Sequence, residues 1–98
     1  MEIEYKNKRI EKVCTNASYA IKNYGDAMAK KIDQRIGEIT AADSIEEMVR
    51  YGIGRCHPLH HNRQGQYAVD LCHPQRLIFE KKAHTVKIVI ILEIDDYH

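Results

Sequence analysis

The sequence predicts an α+β fold, with helices gathered in the first half and a twisted, mainly antiparallel sheet in the second. Three observations carry this. Apolar residues between Ile10 and Ile39 recur every three or four positions, as on one face of a helix. From Gln66 onward the period changes to two, with short polar turns between segments. The run Ile88-Val89-Ile90-Ile91-Leu92 is apolar on both faces, which marks a central strand.

Taken in order, Met1, Ile3 and Tyr5 alternate with Glu2 and Glu4, predicting a short strand at or near a sheet edge. Asn7 can cap a helix carrying Ile10, Val13, Cys14, Ala17, Ile21 and Tyr24. Gly25 suits the end of that helix, and Asp26 can cap a second bearing Met28, Ile32, Ile36 and Ile39. The two form a hairpin whose apolar faces need a common floor. Ser44 and Glu47 fit a capping box for a short helix with Ile45, Met48 and Val49 inward. Gly52-Ile53-Gly54 reads as a connector, being too short for a phosphate loop.

A strand over Arg55–Leu59 is cut short by Pro58, which lacks an N–H. Further strands are expected over Gln66–Leu71, Arg76–Glu80 and Val86–Ile94, giving four or five in all. Residues 1–98 are read as a single domain, since so short a chain has no room for a second core.

Composition narrows the function. The chain is 44% hydrophobic and 30% charged, as in an ordinary globule. No apolar stretch approaches the ~20 residues of a membrane span. The alternating start is unlike a signal peptide, so a cytoplasmic location and no membrane partner are expected. Three cysteines, Cys14, Cys56 and Cys72, then read as reduced thiols rather than a disulfide framework. Net charge is +1, but residues 50–78 hold four arginines against the one acid Asp70. Such a segment can present a local positive field to an anionic partner such as RNA.

The chemistry concentrates between Cys56 and Glu80, which contains four of the six histidines. Cys-His-Pro occurs there twice, at 56–58 and 72–74, and raises the question of zinc. Adjacent strand residues point to opposite faces, so neither Cys-His pair can readily grip one ion, and no metal or other cofactor is expected. A Cys-His nucleophile is equally unsupported, because nothing marks a cysteine as a stabilised thiolate.

Metal-free RNA cleavage fits better. It requires groups that deprotonate a 2′-hydroxyl, neutralise the phosphorane and protonate the departing 5′-oxygen. His57, His60, Arg63 and Arg76 supply imidazole and guanidinium mid-chain, and Asp96, Tyr97 and His98 supply proton partners at the end. If residues 76–80 pair antiparallel with the last strand, Arg76 should lie beside Asp96 and His98.

The pattern His57-Pro58-Leu59-x-x-x-Arg63-x-Gly65-Gln66-Tyr67, then Arg76-Leu77-Ile78-Phe79 and Asp96-Tyr97-His98, resembles the RelE/ParE superfamily of bacterial toxins. It is most similar to the HigB type, the plasmid-maintenance killer proteins. The resemblance implies a ribosome-dependent endoribonuclease that cuts mRNA and is silenced by a cognate antitoxin encoded nearby. It implies that His57, Asp96, Tyr97 and His98 are catalytic and that Arg63 and Arg76 face RNA; His60, at the position of a family lysine, is a further candidate for binding RNA phosphate. ParE-type relatives share the fold but poison DNA gyrase, so a toxin acting by protein binding, or an inactive interaction module, is the alternative. One departure stands out. HigB-type toxins commonly read Leu-Lys-Gly-Asp-Arg where this chain has Leu59-His60-His61-Asn62-Arg63, which exchanges a fixed ammonium charge for titratable imidazoles.

Overall fold

Strand β5 (Ile88–Asp96) lies between a parallel neighbour, β1 (Glu2–Tyr5), and an antiparallel one, β4 (Gln75–Lys81), in a computed structural model that describes residues 1–96. Beyond β4 come β3 (Gln66–Asp70) and the two-residue β2 (His57–Pro58), giving the order β1-β5-β4-β3-β2. The predicted fold class is therefore observed: a five-stranded, mainly antiparallel sheet with helices on one face. β1 is the edge strand that its alternation suggested.

Four helices precede the sheet meander: α1 (Lys8–Thr15), α2 (Ala17–Tyr24), α3 (Asp26–Ala41) and α4 (Ile45–Arg50). The single helix expected from residue 8 to Tyr24 is two. Asn16 closes α1 through its N–H to Lys12 O, and its Oδ1 accepts from Tyr19 N at 3.0 Å to open α2. A short polar side chain offers the backbone this alternative, and hydrophobic spacing does not register a one-residue break. The break also resets the helical phase. Ile21, expected inward, is 42% exposed, and Ala20 is buried instead. Val49 of α4 likewise faces solvent, while Ile45 and Met48 are buried.

The main core lies between helices and sheet. Val13, Ile32, Ile39 and Met48 meet Val69, Leu77, Phe79 and Ile91, all fully buried or nearly so. Tyr67 packs on Phe79 across the β3–β4 pair, ring centroids 6.0 Å apart. On the opposite face a second, smaller cluster of Leu59, Ala68 and Ile78 with Leu92 seats the loop that follows β2. That loop is therefore held against the sheet face away from the helices.

Two local departures shape that face. The strand expected over Arg55–Leu59 shrinks to His57–Pro58, because the preceding backbone is left-handed at Gly52, Gly54 and Arg55. Gly54 has a second reason to lack a side chain: a Cβ there would stand 2.9 Å from the Arg35 side chain. Arg35 passes through this gap to donate from Nε to Asp70 O at 2.6 Å, tying α3 to the end of β3. The second departure is a β-bulge in β5. Ile91 pairs with Phe79 and Glu93 with Ile78, so Leu92 is the extra residue.

Candidate active site

The bulge decides which acids meet which bases. A one-residue slip turns every following side chain to the other face. Continuing the Ile91–Phe79 register without the bulge would set Ile94 opposite Arg76. With it, Arg76 pairs with Asp95, and Glu93 and Asp95 share the sheet face occupied by Ile78 and Arg76. The expectation that Arg76 would lie beside Asp96 is thus corrected. Asp96 pairs with Gln75, one position further along.

Arg76 Nη2 stands 3.4 Å from Asp95 Oδ2. The same carboxylate oxygen is 3.7 Å from Arg63 Nη2, which donates to Glu93 Oε1 at 2.8 Å. Arg63 also donates through Nη1 to Gln66 Oε1 at 2.9 Å. The 3₁₀ turn at His61–Arg63 carries Arg63 out over the sheet. Two guanidinium groups 13 residues apart in sequence therefore converge on one carboxylate oxygen.

They line an open cleft of ≈ 540 Å³ with His60, His61, Asp95 and Asp96. His60 and His61 are exposed, and His61 is held at φ 60°, an uncommon conformation for a residue other than glycine. Of the sequence-derived candidates, His60, Arg63, Arg76 and Asp96 are brought together here. Tyr97 and His98 lie outside the described residues.

His57 is placed differently. It pairs with Ala68, two residues along β3 from the Asp70 that pairs with Arg76. Two strand spacings across and two residues along put it about 12 Å from the Arg76 backbone. Its Nδ1 lies 2.7 Å from Arg55 O. A carbonyl only accepts, so Nδ1 donates this bond, and Nε2 is the ring nitrogen left to face a substrate. Beside it, Arg55 Nε donates to Asp70 Oδ2 at 2.6 Å. Arg55, Asp70, His73 and Arg76 line a smaller polar hollow of ≈ 180 Å³, so Arg76 stands between two recesses.

Sequence reasoning missed Glu93, Asp95 and Arg55. The Asp95-Asp96 doublet was the one visible signal, but which aspartate faces Arg76 depends on the bulge.

The cysteines take no part in this site. Cys56 belongs to the main core, with its neighbour His57 in the sheet beyond it. Burial pushes the Cys14 and Cys56 thiols up to about 12, so both are neutral at physiological pH. The expected result is selective alkylation: iodoacetamide at pH 8 labels half-buried Cys72 in the folded chain and spares Cys14 and Cys56 until denaturant is added, as peptide mass mapping reads out. Among the described residues, no three His, Cys, Asp or Glu are grouped to hold a metal ion. Nor is any described helix long and apolar enough to cross a membrane.

Comparison with solved structures places this architecture. A YoeB/ParE toxin from Agrobacterium tumefaciens superposes over all of both chains with a TM-score of 0.66 at 11% identity. The chain has the YoeB/ParE toxin fold. The YoeB-YefM complex from Staphylococcus aureus contains a second example, at TM-score 0.64 and 22% identity, covering 100% of this chain and 97% of that one. A heterotetrameric YoeB-YefM toxin-antitoxin complex from the same organism gives 0.63, also at 22% identity, over the same shares. No protein-family model matches the chain, and no curated protein matches it significantly. At these identities the YoeB/ParE likeness is one of fold, and the residues of the cleft must be read on their own chemistry.

Proposed function

We propose that this protein is the toxin of a type II toxin–antitoxin pair and a metal-independent endoribonuclease acting on ribosome-bound mRNA in the cytoplasm. The observation that carries the reading is the convergence of Arg63 and Arg76 in an open cleft beside His60, His61 and Asp96. Paired guanidinium groups match the geometry and charge of a phosphodiester, and they gain strength as charge builds on the phosphorane. The HigB-type assignment within the toxin superfamily rests on the sequence pattern and is part of the same proposal.

In this scheme a base removes the 2′-hydroxyl proton, the 2′-oxygen attacks phosphorus, and the 5′-oxygen leaves with a proton from an acid. The products are a 2′,3′-cyclic phosphate and a free 5′-hydroxyl. His57 and His98 are the acid and base, with Asp96 and Tyr97 orienting or relaying protons. Arg63, Arg76 and His60 bind the phosphate. The partner is a cognate antitoxin, as suggested by the YoeB-YefM complexes among the structural neighbours.

The second reading, a ParE-like toxin acting by protein binding or an inactive interaction module, is favoured by one observation: both cleft arginines are already ion-paired. Induction in bacteria with 5′-end mapping of transcripts separates the two. New 5′-hydroxyl ends within coding sequence, lost in His57→Ala and in a chain ending at Tyr97, support the nuclease. Growth arrest with intact transcripts and an induced DNA-damage response overturns it.

A further inference from the structure

The arginines of the cleft are not displayed to solvent as bare charges. Arg63 is only 32% exposed in its side chain and gives one guanidinium edge to Gln66 and Glu93. Its Nη2 meets Glu93 at 2.8 Å, while Asp95 sits 3.7 Å away and nearer to Arg76. Among the described residues, two carboxylates, Glu93 and Asp95, thus pair with the two guanidinium groups.

Stability gives no reason for this arrangement. Glu93 is 41% exposed, and half-exposed ion pairs contribute little to folding. What the pair does accomplish is to hold the Arg63 guanidinium in place, with Nη1 on Gln66 and Nη2 on an oxyanion. Asp95, less exposed and shared with Arg76, is the fixed member of the pair. Glu93, more exposed and among the described residues paired with Arg63, is the removable one.

We propose that Glu93 is a built-in counter-ion that occupies, on Arg63, the place taken by an RNA phosphate, so that substrate must displace it. This rests on the RNA-cleaving reading and deepens it: the free cleft is masked against naked RNA and accepts a strand whose entry is supported by contacts made elsewhere. Exchange of one oxyanion for another keeps Arg63 paired throughout, so the guanidinium is never desolvated without a partner.

The test is binding of a short single-stranded RNA, 2′-O-methylated throughout so that it cannot be cleaved, followed by fluorescence anisotropy at two salt concentrations. The proteins are wild type, Glu93→Gln, Arg63→Ala and the double variant. Glu93→Gln should bind roughly three- to tenfold more tightly. Its affinity should also fall more steeply with salt, by up to about 0.7 in the logarithmic slope, as expected when one further phosphate is neutralised. The tighter binding should vanish in the Arg63→Ala background, which is the signature of a coupled pair. Thermal melting confirms that each variant is folded, and Glu93→Thr, suited to a strand, replaces the glutamine should it fail. Unchanged or weaker binding by Glu93→Gln, or an improvement that survives loss of Arg63, overturns the proposal. If transcripts are still cut in cells, that result leaves the nuclease reading intact. If they are uncut and wild type binds no better than Arg63→Ala, both fall together.

Discussion

Replacing Arg76 with alanine is expected to lower transcript cleavage by roughly 10²–10³-fold, the usual effect of removing one preorganised donor from a developing oxyanion. Arg76 stands between the two recesses of the sheet face and is paired across the strands with Asp95. Its side chain is 16% exposed, so its charge acts through less water than a surface arginine's would. The fold should survive. Losing this partly buried pair costs about 1 kcal/mol, a fall of about 4–8 °C in Tm for a chain this size. Arg76→Lys separates charge from shape, because a lysine supplies a point charge without the planar fork, and it should recover only part of the rate. Primer-extension counts of cleaved transcript, beside a melting curve for each variant, read both quantities. A folded Arg76→Ala protein that cuts at the wild-type rate would remove Arg76 from the reaction.

The largest expected loss of stability comes from Phe79→Ala. Phe79 has no exposed surface, stacks on Tyr67, and belongs to the cluster shared by helices and sheet. Truncating a buried phenylalanine costs about 3–5 kcal/mol, from lost transfer free energy and the cavity left behind. Typical domains hold only about 5–15 kcal/mol in total, so a large share of the margin disappears. Tm should fall by roughly 15–30 °C. Val86→Ser, at a side chain 65% exposed, is the matched control and should move stability by no more than about 0.5 kcal/mol. Urea denaturation followed by circular dichroism reads both. Equal midpoints for the two variants would mean that Phe79 does not sit in the core between helices and sheet.

The same distinction between buried and exposed explains how much of the fold is legible in the sequence. Ile88-Val89-Ile90-Ile91-Leu92 is greasy on both faces, and β5 does lie between two strands. The Met28, Ile32 and Ile39 stripe is the buried face of α3. Ser44 caps α4 as its spacing with Glu47 suggested, accepting from Glu47 N at 3.0 Å. Each of these is a local pattern, visible because burial recurs at the period of the element. The histidine- and arginine-rich loop was legible as a candidate site because it gathers in one segment the imidazole and guanidinium groups that phosphate chemistry needs.

The amino-acid order alone determined the classes of element, their sequence along the chain, the strands' inward faces and the residue types available for phosphate chemistry. Tertiary structure decided which of those residues meet. Asn16 splits a helix and turns Ile21 outward, and Leu92 bulges so that Asp95 rather than Ile94 faces Arg76. Left-handed backbone at Gly54 and Arg55 lets Arg35 reach Asp70. The physical reason is range. Periodicity reports whether each residue prefers water or core within its own segment, whereas register, and with it every ion pair across the sheet, is settled by two segments packing against a third.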